Sequence, residues 1–166
     1  MRILFIAMTL TVALSNYLVQ FQLNDWLTLG AFSFPFTFLI SEICNRNYGA
    51  SKARRIAFAG FAVAVILSIA LSSPRIACAS GLAFLLSQLM DISVFNQLRQ
   101  QRWWVAPIAA SMCASLMDTV IFWNLAFYGE AVPLASWAFG DFGVKIALDL
   151  VLLLPYRLTL SRRLAA

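Results

Sequence analysis

Apolar residues run along this chain in long blocks, broken by short polar or charged interruptions. Six such blocks stand out, at residues 3–21, 27–44, 56–72, 76–98, 103–127 and 134–156. None shows the half-polar stripe of a soluble amphipathic helix. Each approaches the roughly 20 residues that a helix rising 1.5 Å per residue needs to cross a bilayer. The second and third are short, and the last three have length to tilt. The pattern predicts an all-α integral membrane protein, a single domain with a bundle of six transmembrane helices.

The breaks carry charge or turn residues: Asn24-Asp25, residues 45–55, Ser73-Pro74-Arg75, residues 99–102 and residues 129–133. No low-complexity tract or internal sequence repeat is evident. Segments one and four enter from opposite sides, which allows an inverted three-plus-three arrangement. Segment one follows Arg2 as a signal peptide would. Asn16, Gln20 and Gln22 succeed it without a small-residue cleavage site, so it is expected to stay as a helix.

Composition agrees with this reading. Hydrophobic residues make up 62% and charged residues 11%, where a soluble domain carries about 25% charged. The formal charge is +5, which in a soluble protein would raise nucleic-acid binding. The placement of the charge removes that class. With a cytoplasmic N-terminus, the inner side collects Arg2, Arg46, Lys52, Arg54, Arg55, Arg99, Arg102, Arg157, Arg162 and Arg163. Only Arg75 falls outside, and Lys145 lies within segment six. Such a bias orients a membrane protein with both termini in the cytoplasm. Trp26 at one edge, and Trp103 and Trp104 at the other, suit interfacial belts. Direct contact with the lipid bilayer follows as an expectation.

Ionisable groups inside apolar segments are the residues that need explaining, since each costs roughly 2.5–3.5 kcal/mol at mid-bilayer. They are Glu42, Asp91, Asp118, Asp141, Lys145 and Asp149. Such groups face the bundle interior, pair with one another or line a wet cavity. Asp141, Lys145 and Asp149 are spaced by four, so Lys145 can pair with either aspartate. Ser111, Ser115, Asp118 and Phe122 share one helix face, as do Gln88, Asp91 and Phe95, and Thr9, Asn16 and Gln20. These stripes suit a flat polar ligand at the bundle centre. The plainer alternatives are a structural ion pair at Lys145, helix-to-helix hydrogen bonds from Asn16 and Gln88, and a Glu42 that snorkels to water.

Segment two contains Gly30-Ala31-Phe32-Ser33-Phe34-Pro35-Phe36. Pro35 removes a backbone donor in mid-span, predicting a kink or an unwound turn. Interrupted helices mark binding sites in transporters, and phenylalanines beside the break could stack on a ligand. A lipid-facing aromatic surface is the alternative. Cys44, Cys78 and Cys113 lie in apolar segments without metal-ligand spacing, and the chain has no histidine. No metal and no cofactor are expected. No GxSxG, phosphate-cradling glycine loop or ATP-binding motif occurs, so the chain reads as no enzyme and as no motor.

Several motifs in order resemble the queuosine-precursor transporters, a vitamin-uptake-transporter-like family. They are Ser-Asn-Tyr-Leu-Val-Gln (15–20), Gly-Ala-Phe-Ser-Phe-Pro-Phe (30–36), Arg-Ile-Ala (75–77), Gln-Leu-Met-Asp-Ile-Ser-Val-Phe-Asn-Gln-Leu-Arg (88–99), Trp-Trp-Val-Ala-Pro (103–107), Asp118-Thr119 and Asp141-Phe-Gly-Val-Lys145. The resemblance implies a stand-alone bacterial inner-membrane importer of 7-deazaguanines, chiefly 7-cyano-7-deazaguanine, for queuosine modification of tRNA. It also implies a fold similar to the substrate-binding subunits of energy-coupling-factor vitamin transporters. Glu42 stands where the family pattern suggests an aspartate. A guanine-like ring offers adjacent N–H donors that one carboxylate can accept. The expected binding set is therefore Asn16, Gln20, Phe36, Gln88, Asp91, Asp118, Trp123, Asn124 and Lys145. Asp91 or Asp118 would read the amino edge, and Phe36 or Trp123 would stack. Glu42, Asp141 and Asp149 are candidates for proton coupling or for a structural ion pair. The competing readings are a binding subunit of an ATP-driven transporter and a non-transport scaffold or intramembrane enzyme. The preferred precursor, the coupling ion and homo-oligomer formation stay open.

Overall fold

The computed structural model of the chain describes all residues except 19, 22, 72, 165 and 166, and leaves aside the side chains of 71 and 161–164. Gln22 and the end of the third predicted segment lie outside the described residues, as do the side chains of Arg162 and Arg163.

Seven helical stretches occur among the described residues: α1 (Arg2–Leu18), α2 (Gly30–Ser33), α3 (Pro35–Tyr48), α4 (Ala50–Leu71), α5 (Pro74–Leu98), α6 (Val105–Ala126) and α7 (Leu134–Leu164). The first break in segment two falls where predicted. Pro35 has no N–H to return to the carbonyl of Ala31, so α2 and α3 are two halves of one interrupted span. Counted that way, the bundle has six helices. Three of them, at Ala50–Ala70, Pro74–Leu98 and Val105–Ala126, are long and apolar enough by length and composition to cross a membrane.

The predicted loop at residues 45–55 is almost entirely helical. Gly49, at φ +86°, is the one residue that interrupts it. Arg46, Lys52, Arg54 and Arg55 do not end a helix; their long stems let the charge reach water from a helical backbone. Segment six likewise runs beyond residue 156, through Pro155 to Leu164. Segment one stops short of residue 21, at Leu18.

The interior is inverted relative to a soluble protein. Glu42, Asp91, Asp118, Asp141, Lys145 and Asp149 are all buried, while Ile66, Ile69 and Phe139 are 68%, 71% and 77% exposed. Lipid explains that apolar exterior where water would not. Between helices, small residues permit close approach. A methyl group on Gly60 would lie 2.9 Å from Met8 and 3.2 Å from Phe84, so α1, α4 and α5 meet there without a side chain between them. Buried Ala77, Ala79 and Ala83 of α5 and Ala106, Ala110 and Ala114 of α6 serve the most extensive helix pair. Met8 and Val12 seat α1 in the core with Ile40, Ile56 and Phe84.

One end of the bundle gathers basic residues. Arg46 donates to the Tyr156 hydroxyl at 3.1 Å and to the Arg99 carbonyl at 2.5 Å, joining α3, α7 and the end of α5. Arg157 lies 5.1 Å over the Trp103 ring, and the N-terminal ammonium donates to the Tyr48 hydroxyl. At the opposite end Arg75 donates to the carbonyls of Leu125 and Tyr128 and pairs with Glu130 at 3.2 Å.

Candidate functional site

A cavity of about 250 Å³ lies between α1, the α2/α3 break, α4, α5, α6 and α7, and neither Arg46 nor Tyr156 lines it. A protein cavity of about 150 Å³ takes a benzene ring, so this one accommodates a larger flat ring system. Its mouth is formed by the loop after α1. Asn24 there accepts from the backbone N–H of Trp26 at 3.1 Å and of Leu27 at 2.8 Å, an Asx turn that directs the chain back on itself. Leu29 then donates to the Phe21 carbonyl at 3.0 Å. The result sets Trp26 on α7 at Gly140, where an added Cβ would come within 2.8 Å of the indole.

The charged floor of the cavity joins α6 to α7. Lys145 donates to Asp118 at 2.7 Å, to Asp141 at 2.5 Å and to the Thr119 hydroxyl at 3.2 Å, which uses all three ammonium protons. Sequence spacing anticipated the pairing with Asp141. The partner from α6, Asp118, takes the place that spacing equally allowed to Asp149, which instead accepts from Ser115 at 2.9 Å.

The two carboxylates differ in what they have left to offer. Oδ2 of Asp141 accepts from Lys145, Thr119 and Trp123. Asp118 accepts one bond, from Lys145, so its Oδ1 takes no hydrogen bond from the described residues. Both residues line the cavity. A carboxylate with an open oxygen, held by an adjacent ammonium, is an acceptor for paired N–H donors of a ligand.

Aromatic rings wall the same space. Phe34, the residue at the helix break, sits under Lys145 with the ammonium 5.6 Å from its centroid. Trp123 stacks on Phe127 with centroids 5.1 Å apart at 23°, and Trp137 closes the cluster from α7. Asn16 and Gln20 also line the cavity. Asn16 is partly engaged, donating to the Val12 carbonyl and accepting from Ser68 at 2.9 Å.

Of the expected binding set, Asn16, Gln20, Asp118, Trp123 and Lys145 are brought together around the cavity, with Asp141. The others lie elsewhere. Gln88 donates to Thr37 at 2.8 Å and accepts from Ser41, so its amide pins α5 to α3. Asn124 is exposed and donates to the Val120 carbonyl. Phe36 is 43% exposed on the outer face. Asp91 is fully buried and does not line the cavity. Phe34, Phe127 and Thr119 belong to the site although the sequence did not single out their roles. The motif at 30–36 held the signal for Phe34, but alternate phenylalanines on a helix point to different sides. The alternative that Glu42 snorkels to water does not hold, because it is 3% exposed and lies against Ser111. Cys44 is buried, and Cys78 and Cys113 are exposed. Among the described residues no group of His, Cys, Asp or Glu could hold a metal.

The family described as “Putative vitamin uptake transporter” matches residues 28–73 and 67–159. The chain is 37% identical to the “Queuosine precursor transporter” of Escherichia coli, over 88% of this chain and 79% of that one. It is 34% identical to the “Probable queuosine precursor transporter” of Haemophilus influenzae, over 87% and 79% of the two chains. A Bacillus subtilis protein of the same description is 26% identical, over 78% and 69%. No solved structure matches the chain.

Proposed function

The chain belongs to this family of vitamin uptake transporters, and we propose from that premise that it imports queuosine precursors, 7-cyano-7-deazaguanine first among them, for queuosine modification of tRNA. One observation supports the reading to the substrate: Asp118, whose Oδ1 accepts no hydrogen bond from the described residues, lines a ring-sized cavity with Phe34, Trp123 and Phe127.

A deazaguanine presents an amino group and a ring N–H side by side. Asp118 accepts both, using Oδ1 and the remaining lone pair of Oδ2. Stacking between aromatic rings holds the flat face, as it does for exposed bases in other proteins. Asn16 and Gln20 supply amide N–H groups for the ring carbonyl. Lys145 donates to Asp118 and orients it.

The basic end of the bundle faces the cytoplasm by the positive-inside rule. Both termini are then cytoplasmic, the membrane is the bacterial inner membrane, and the cavity opens outward to receive substrate. The protein acts alone as a carrier, without an ATP-hydrolysing partner. Purified protein in liposomes tests this: labelled 7-cyano-7-deazaguanine should accumulate inside without ATP and without other proteins. Binding of the precursor with no uptake unless an ATPase is added would replace the reading by that of a binding subunit.

A further inference from the structure

The buried interior holds five carboxylates and one ammonium. Lys145 serves Asp118 and Asp141. Glu42, Asp91 and Asp149 remain, with no salt bridge among the described residues. They come from α3, α5 and α7: Glu42 and Asp149 line one small cavity, and Asp91 is fully buried on α5. Three like charges in a water-poor interior require compensating positive charge.

Two details of geometry say what supplies it. Ser111 has one hydroxyl proton and two oxygen neighbours, the Pro107 carbonyl at 2.5 Å and Glu42 Oε1 at 3.1 Å. Both neighbours accept from Ser111, so its single proton is divided between them and Glu42 Oε1 receives only a shared hydrogen bond. Asp91 is 0% exposed, and neither of its oxygens accepts a hydrogen bond from the described residues. A buried, unpartnered carboxylate is among the most costly groups in a protein interior, and a proton removes its charge. Metal is the poorer answer, since no group of described residues has a ligand geometry.

We infer that Glu42, Asp91 and Asp149 form a proton-binding site, separate from the substrate cavity, at which the transporter takes up and releases its coupling ion. A cavity of about 10 Å³ beside Glu42, Ser111 and Asp149 has room for about one water, a stepping stone for the proton. The site lies between the two polar ends of the bundle. Lys145 stands one turn from Asp149 towards the substrate cavity, and Tyr156 with Arg46 closes the basic end. From α6 the hydroxyls of Ser111 and Ser115 meet Glu42 and Asp149, and the described buried positions of α1, α2 and α4 offer no titratable side chain. A proton enters from the outer water, passes among the three acids, and leaves to the inner water as the charge of one site is restored.

The coupling role rests on the transport reading; proton binding does not, and the experiment separates them. Infrared spectra of purified protein in nanodiscs should show a carboxylic-acid C=O band at neutral pH that moves to lower frequency in heavy water. Glu42→Gln, Asp91→Asn and Asp149→Asn should each reduce it. Absence of the band, or a band that none of the three changes, overturns the site. Carboxylate bands that move when sodium replaces choline would overturn it in favour of a metal cation. In liposomes, uptake of 7-cyano-7-deazaguanine should acidify the interior, and Asp149→Asn should exchange substrate for substrate while failing to accumulate it. Uptake without acidification sinks the coupling while leaving the transport reading. An infrared band with no uptake by the wild type supports the proton site and removes the precursor reading.

Discussion

Asp118 and Lys145 stand 27 positions apart in sequence and 2.7 Å apart in space, both buried. Their bond joins α6 to α7 at the cavity floor. Taking two charges out of water costs several kcal/mol each, and removal of one partner exposes that cost in full.

Lys145→Met should therefore destabilise the protein by about 3–5 kcal/mol, because Asp118 and Asp141 lose the only cation that pairs with them among the described residues. Adding Asp118→Asn and Asp141→Asn to Lys145→Met should recover most of that stability without recovering substrate binding. Thermal unfolding in detergent measures the first effect, and ligand binding the second. Full stability of Lys145→Met alone would mean the ion pair is not buried as described.

Gly140→Ala should reduce uptake, since the new methyl would meet the Trp26 indole at 2.8 Å and push the mouth loop off α7. Trp26→Ala in the same chain should relieve the clash. The double variant should then bind substrate better than the sum of the two single effects predicts. Strict additivity would place the loop elsewhere.

Gln88→Ala should lower thermal stability by about 1–3 kcal/mol by leaving the hydroxyls of Thr37 and Ser41 without their buried partner. The dissociation constant for substrate should stay within about twofold, because Gln88 is not among the residues that line the cavity. A large loss of affinity at unchanged stability would return Gln88 to the binding set.

Arg46→Ala should loosen the basic end, where one guanidinium bridges Tyr156 and the Arg99 carbonyl. Cys44, two residues before it and fully buried, is a native probe. With Cys78 and Cys113 changed to serine, thiol reagents should label Cys44 several-fold faster in Arg46→Ala than in its parent. Equal rates would show that this contact does not hold the end closed.

Much of this arrangement was legible in the sequence, for a physical reason. Lipid forces charged groups inward, so Glu42, Asp91, Asp118, Asp141, Lys145 and Asp149 announced the bundle interior before any packing was known. Pro35 announced its break because a missing N–H acts locally. What the sequence withheld depends on rotation and on neighbours. Helical spacing allowed Lys145 two partners on its own helix, and only the packing of α6 on α7 introduced Asp118. Phe34 and Phe36 read alike, but one lines the cavity and the other faces outward. The charges at 45–55 looked like a loop because charge usually marks water; here the helices run through it and only Gly49 turns.

The account stands most directly on import of the precursor. A bacterial strain unable to make or import queuosine precursors, expressing this protein, would be fed a low concentration of 7-cyano-7-deazaguanine and its tRNA assayed for queuosine. Restored queuosine, lost when Asp118 is changed to asparagine in a protein still present in the membrane, is the predicted result. Unmodified tRNA with the wild-type protein correctly inserted would contradict it.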